Sequence, residues 1–107
     1  MASVLILDRT NHHGFRKTDI LKKENGVYFY NNILLGKKLP AEILRSWQSL
    51  EKGPAGEKYL ACSAGTYSFV KQVKNKKIQV NGCTQGDNYA ALVKNIEVVR
   101  EYAKGRP

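Results

Sequence analysis

Two adjacent histidines stand shortly before two cationic residues, and this grouping could support cleavage of RNA. Metal-free ribonucleases need a general base for the 2′-hydroxyl, a general acid for the leaving oxygen and cations at the phosphate. His12 and His13 could supply both proton transfers because imidazole titrates near neutral pH, and Arg16 and Lys17 could hold the phosphate. A metal-independent, toxin-type ribonuclease is therefore one hypothesis, although the residues favour a protein without catalysis.

Lysines interleaved with aromatic residues form the second group with candidate chemistry. Aromatic rings can stack on bases while nearby amines hold phosphates. Tyr28 and Tyr30 alternate with Val27 and Phe29, so the two pairs lie on opposite faces of a strand. We expect one of these faces to be wet, and the two tyrosines are the stacking candidates. Tyr67 and Phe69 are more consistent with the core. The candidate nucleic-acid-binding residues are Arg16, Lys17, Lys22, Lys23, Tyr28, Tyr30, Lys37, Lys38, Lys71, Lys74, Lys76 and Lys77.

The net charge favours a polyanionic partner. The chain has 18 Lys and Arg against 9 Asp and Glu, a net charge of +9, and both halves share the excess. Such a field attracts nucleic acid, the commonest partner of a strongly basic domain. We therefore expect a module that binds single-stranded DNA or RNA with weak sequence preference. A phage or mobile-element accessory protein that binds and blocks a host protein is the remaining hypothesis, and the oligomeric state stays open, a homodimer included.

Several other classes find no support in the sequence. No cofactor motif is present, and two adjacent histidines with two distant cysteines do not have metal-ligand spacing, so we expect neither a cofactor nor a metal. No apolar stretch is long enough to cross a membrane. Without a recognisable leader, we interpret Cys62 and Cys83 as free thiols and expect a cytoplasmic protein.

The sequence of the first half of the chain predicts strands followed by a helix. Residues 4–7 form a buried strand, and residues 8–18 lack periodicity and are predicted to be a loop. Asn25-Gly26 predicts a tight hairpin, since both positions of a type I′ turn need positive φ. Pro40 suits the first position of a helix, and Gly53 ends it. The apolar face of that helix is Ile43, Leu44, Trp47 and Leu50.

The second half repeats the order. Strands are predicted over 58–62, 66–74 and 77–81, with a turn at Asn75-Lys76. Thr84 and Asp87 match a capping box before a helix over about 87–103. We therefore expect residues 1–107 to form one α+β domain: an antiparallel sheet of about six strands with two helices packed on one face, in the order strands, helix, strands, helix.

Overall fold

The computed structural model describes residues 2–11, 13–53 and 65–105. It confirms the α+β class and the order of elements. The predicted strand over 58–62 lies outside the described residues. The elements are β1 (Ala2–Asn11), β2 (Arg16–Glu24), β3 (Val27–Tyr30), β4 (Ile33–Gly36), α1 (Ala41–Lys52), β5 (Gly65–Val73), β6 (Lys76–Cys83) and α2 (Asp87–Lys104).

The described strands form one antiparallel sheet in the order β4-β3-β2-β1-β5-β6. The prediction of a loop over 8–18 is wrong at both ends, because β1 extends to Asn11 and β2 begins at Arg16. Arg9 and Asp19 explain the error. Both are buried on the helix-covered face and pair with each other, so two inward positions carry charges where a strand pattern calls for apolar residues.

The two tight turns show how local sequence sets the register of the sheet. Asn25 and Gly26 have φ values of 52° and 77°, as the predicted type I′ hairpin requires. The turn between β5 and β6 contains Lys74 and Asn75, one position before the predicted pair. Lys74 takes the positive φ of this turn, at 57°.

Both helices pack on one face of the sheet and complete the core. Trp47 of α1 is 1% exposed, and its ring meets that of Tyr28 edge-on at 4.9 Å between centroids. In α2, Leu92, Ile96 and Val99 are buried at helical spacing. Neither described helix is long and apolar enough to cross a membrane.

The helix ends differ in detail from the predicted ones. Pro40 is the N-cap of α1 and not its first residue. Gly53 caps the C-terminus with φ 75°, as expected. The predicted capping box at Thr84 and Asp87 is wrong: Gly86 is the N-cap of α2 and no side chain caps that end.

The cysteine at the end of β6 corrects the interpretation of free thiols. Cys83 is buried and disulfide-bonded, and no cysteine among the described residues is free. The sequence contains one other cysteine, Cys62, which lies outside the described residues. The sequence of a chain with two cysteines does not show whether they are oxidised. Only a short distance between the two residues in the folded protein could indicate a disulfide bond.

We expect reduction of this disulfide to lower the melting temperature. A link between the two cysteines of this chain closes a loop of about 20 residues, which corresponds to roughly 3 kcal/mol of stability. Thermal unfolding with and without a phosphine reductant measures the effect. The Cys83→Ala variant is the control and should melt alike in both buffers. Equal melting of the wild type with and without reductant would contradict the prediction.

Candidate functional site

The strand register aligns one row of residues across all six strands, and this row contains two lysines. Gly36 of β4 is opposite Tyr28 of β3, and Tyr28 is opposite Lys23 of β2. Ser3 is the partner of both Lys23 and Val73. The row ends at the outer strand β6, where Lys76 is the partner of Val73.

This end of the sheet, here called the lysine end, brings together lysines from three parts of the sequence. The next row runs from Lys22 through Val4 and Gln72 to Lys77, so it also contains two lysines. Lys37 directly follows Gly36 at the same end. The lysine end consists of Lys22, Lys23, Lys37, Lys38, Lys71, Lys74, Lys76 and Lys77.

Most of these amines face solvent. Lys37, Lys38, Lys74, Lys76 and Lys77 are exposed, whereas the remaining three are half-buried. Glu24 is the one carboxylate seen paired here, with its Oε2 2.6 Å from Nζ of Lys22. Since neighbouring strands lie about 4.8 Å apart, the three strand spacings from Lys23 to Lys76 cover roughly 14 Å. A polyanion that spans this distance would meet cations on both β2 and β6.

The interpretation of Tyr28 and Tyr30 as an exposed stacking surface is wrong. Both rings point toward the helices and are buried, Tyr28 against Trp47. The alternation in β3 separates two faces correctly, but the sequence does not say which face the helices cover. Tyr67 and Phe69 are buried on the same side, as predicted.

The uncovered face of the sheet presents a different aromatic residue. Phe29 of β3 is half-buried there, and Nζ of Lys22 lies 6.0 Å from the centre of its ring. Leu34 is the cross-strand partner of Phe29 and is 55% exposed. Ile20 is also exposed on this face, opposite Ile6. The surface beside the lysine end is therefore apolar and includes one ring next to an amine.

Arg16 and Lys17 lie at the opposite end of the sheet, here called the loop end, which contains the connection from β1 to β2. Lys17 is the partner of Arg9, whereas Lys23 is six residues further along β2. At about 3.4 Å per residue this is roughly 20 Å. The candidate binding residues between Arg16 and Lys38 are therefore divided between two separate ends of the sheet.

The described residues of the connection from β1 to β2 form hydrogen bonds with Asn11. Asn11 Oδ1 accepts hydrogen bonds from the backbone N–H groups of His13 and Phe15, at 2.9 and 3.0 Å. His13 is exposed, and His12 lies outside the described residues. Asp8 accepts hydrogen bonds from Arg16, and this contact lowers the pKa of the Asp8 carboxyl below its ordinary value.

A buried ionic network behind the loop end was not predicted from the sequence. Asp19 is fully buried, and its Oδ2 lies 2.6 Å from Nη2 of Arg9. Arg100 of α2 donates to the same carboxylate at 3.2 Å. Tyr30 donates its hydroxyl to Asp19 and accepts a 3.0 Å bond from Arg100. Burial, followed by the Asp19 contact, raises the pKa of Tyr30.

This network contains more cationic groups than its one carboxylate can fully satisfy. Nη1 of Arg9 is buried and has no hydrogen-bond partner in the part of the chain that the structure describes, although Nη2 is well paired. Arg9 Cζ also lies 5.9 Å from the ring centre of Tyr89. The only sequence signal was an arginine and an aspartate at inward positions of two consecutive strands, where apolar residues are usual.

A cavity of about 470 Å³ opens at the loop end. Its wall includes three cationic side chains, Arg9, Arg16 and Lys17, and two aromatic rings, Phe15 and Tyr89. Among residues 2–11, 13–53 and 65–105, no cluster of histidine, cysteine and carboxylate side chains could hold a metal ion.

Comparisons with protein-family models, with curated proteins and with solved structures find no match to this chain. Its function must therefore be inferred from the chemistry of its own residues.

Proposed function

We propose that this chain binds single-stranded nucleic acid through the lysine end, with weak sequence preference and without catalysis. The observation that carries the proposal is the order and register of the strands, which place lysines from three separate parts of the sequence, residues 22–23, 37–38 and 71–77, at one end of the sheet. Their charges attract phosphates whatever the base sequence, because the backbone charge of a nucleic acid is uniform.

The neighbouring face of the sheet supports a single strand as the ligand. Phe29 offers a ring beside Lys22, and the exposed side chain of Leu34 extends the apolar surface. Unpaired bases can contact such a surface, whereas the bases of a duplex are stacked and paired with one another. No base-specific pattern of hydrogen-bonding side chains is needed for this contact, which accounts for the weak sequence preference.

The location of the protein is a separate proposal. A cytoplasmic location is expected if the thiols are reduced, but the disulfide of Cys83 is more usual in an oxidising compartment. If the protein works in the cytoplasm, its nucleic-acid binding must survive reduction. Binding measured in the presence of reductant tests this requirement directly.

The decisive experiment measures affinity for a fluorescent oligothymidine of about 20 nucleotides at several salt concentrations. We expect the logarithm of the association constant to fall linearly with the logarithm of salt, by about 0.7 per phosphate contact. Replacing Lys74, Lys76 and Lys77 by glutamine should weaken binding and reduce the slope by roughly 2. These three side chains are exposed, so the fold should be retained.

A matched control removes the same charge elsewhere. Lys52, Lys94 and Lys104 are exposed on the two helices, and their replacement by glutamine lowers the net charge equally. This control should keep most of the affinity. Equal loss in both triple variants would show a general charge effect and contradict a site at the lysine end.

The same samples test the alternatives. Cleavage of RNA that persists with a chelator and disappears when His12 and His13 become alanine would establish the ribonuclease. No binding at low salt would exclude the proposal and favour a protein partner, as expected for an accessory protein that blocks a host factor. If binding alone occurs, the double histidine variant should match the wild type, because the lysines make the phosphate contacts.

A further inference from the structure

We propose that the cavity at the loop end is a second binding site, specific for a nucleoside monophosphate unit. It lies at the opposite end of β2 from the lysine end, and it does not depend on the function proposed there. The site combines a buried cation with an unused hydrogen-bond donor, two more cations and two aromatic rings.

Arg9 gives this cavity its affinity for an anion. Its side chain is 9% exposed, and its Nη1 has no hydrogen-bond partner among the described residues. An incompletely satisfied guanidinium in the interior destabilises the protein, so its charge favours an anion such as a phosphate in the cavity that Arg9 lines. Asp19 holds the other terminal nitrogen, so the guanidinium is already fixed in place before a ligand arrives.

The balance of charge around the cavity matches a dianion. Arg9, Arg16 and Lys17 line the wall, and Arg100 stands behind Arg9 on the shared carboxylate of Asp19. Two carboxylates partly balance these four positive charges: Asp19, and Asp8, which is paired with Arg16. Two positive charges therefore remain. A phosphate monoester carries between one and a half and two negative charges at neutral pH, which is close to the charge required.

The two aromatic rings of the cavity favour a ligand whose phosphate is attached to a nucleoside with a planar base. Phe15 is 73% exposed, although its backbone is fixed by two hydrogen bonds with Asn11 at 3.0 Å. Tyr89 is held between Arg9 and Tyr67, whose ring centre lies 5.6 Å away. An exposed ring on a fixed turn is a platform for stacking a planar group. A volume of about 470 Å³ is ample for one nucleotide.

Calorimetric titration with adenosine monophosphate tests the site. We expect binding of this nucleotide, and at least about tenfold weaker binding of adenosine and of inorganic phosphate, because each lacks one recognised part. Lys17→Gln and Phe15→Ala should each weaken nucleotide binding about tenfold. Both residues are exposed, and unchanged melting temperatures will verify that the variants fold.

The controls separate this site from the lysine end. The variant with glutamine at Lys74, Lys76 and Lys77 should bind adenosine monophosphate as the wild type does. Equal affinity for nucleotide and nucleoside, or full affinity in both the Lys17 and Phe15 variants, would overturn the proposal. Either result would leave oligonucleotide binding by the lysine end unaffected.

A final comparison distinguishes a free nucleotide from the 5′ end of a nucleic-acid strand as the natural ligand. If the natural ligand is the end of a strand, a 5′-phosphorylated oligonucleotide of about ten residues should bind more tightly than the same oligonucleotide without phosphate. Lys17→Gln should remove that difference. If the natural ligand is a free nucleotide, the two oligonucleotides should bind equally while adenosine monophosphate still binds. Both outcomes support the cavity as the nucleotide site.

Discussion

Replacing Asp19 with asparagine should lower the free energy of unfolding by about 3–5 kcal/mol. The carboxylate is fully buried and contacts Arg9, Arg100 and the hydroxyl of Tyr30. Asparagine keeps the shape but removes the negative charge, so that two guanidinium groups in and near the core lose their compensation. Urea denaturation of the wild type and the variant measures the difference.

Two further variants show whether the charge itself causes this loss. Asp8→Asn removes an equivalent carboxylate from the exposed contact with Arg16, and it should cost no more than about 1 kcal/mol. The double change Arg9→Met with Asp19→Leu removes the more deeply buried guanidinium together with the carboxylate, and it should recover part of the stability lost in Asp19→Asn, since Arg100 still lacks its partner. Similar stability of Asp19→Asn and the wild type would show that the arginines do not depend on this carboxylate.

Replacing Trp47 with alanine should cost roughly 3–5 kcal/mol, as for other large side chains removed from a core. The indole is 1% exposed and packs edge-on against Tyr28 within the cluster that joins α1 to the sheet. The lost contacts leave a cavity that a sheet and two helices cannot close completely. The midpoint of thermal or urea unfolding gives the measurement.

The expected contrast with Trp47→Phe makes this prediction sharper. Trp47 Nε1 is buried and has no hydrogen-bond partner, so phenylalanine keeps much of the ring while removing an unsatisfied donor. Trp47→Phe should therefore be much closer to the wild type than Trp47→Ala. Phe15→Ala, at an exposed ring, should change stability by about 0.5 kcal/mol or less. A Trp47→Ala variant as stable as Phe15→Ala would show that the indole is not part of the core.

The sequence predicted the elements whose signals are local. Asn25-Gly26 set a hairpin, and the spacing of Ile43, Trp47 and Leu50 set a helix with a buried face. Both signals come from the conformational preferences of a few neighbouring residues, and the tertiary structure does not override them.

Features that depend on distant partners could not be predicted. Arg9 and Asp19 interrupt the apolar pattern of β1 and β2, so the sequence does not show the full length of these strands. Each residue is buried because the other neutralises its charge, and neither residue alone indicates that the other is its partner. Tyr28 and Tyr30 were assigned to the wrong face because alternation does not identify the side that the helices cover. The lysines of β2 and β6 meet only through the register of β1 and β5 between them.

The central position of β1 affects how the chain reaches its native state. Ser3 pairs with Val73 and Asn11 pairs with Gly65, partners 70 and 54 positions apart. The hairpins from β1 to β4 can form from local contacts, whereas closure onto β5 must wait for most of the chain and carries a larger entropic cost. During synthesis, β1 is therefore made well before its second neighbour, β5. Until then its open edge can pair with another nascent chain, so the yield of folded protein depends on how quickly the C-terminal half arrives.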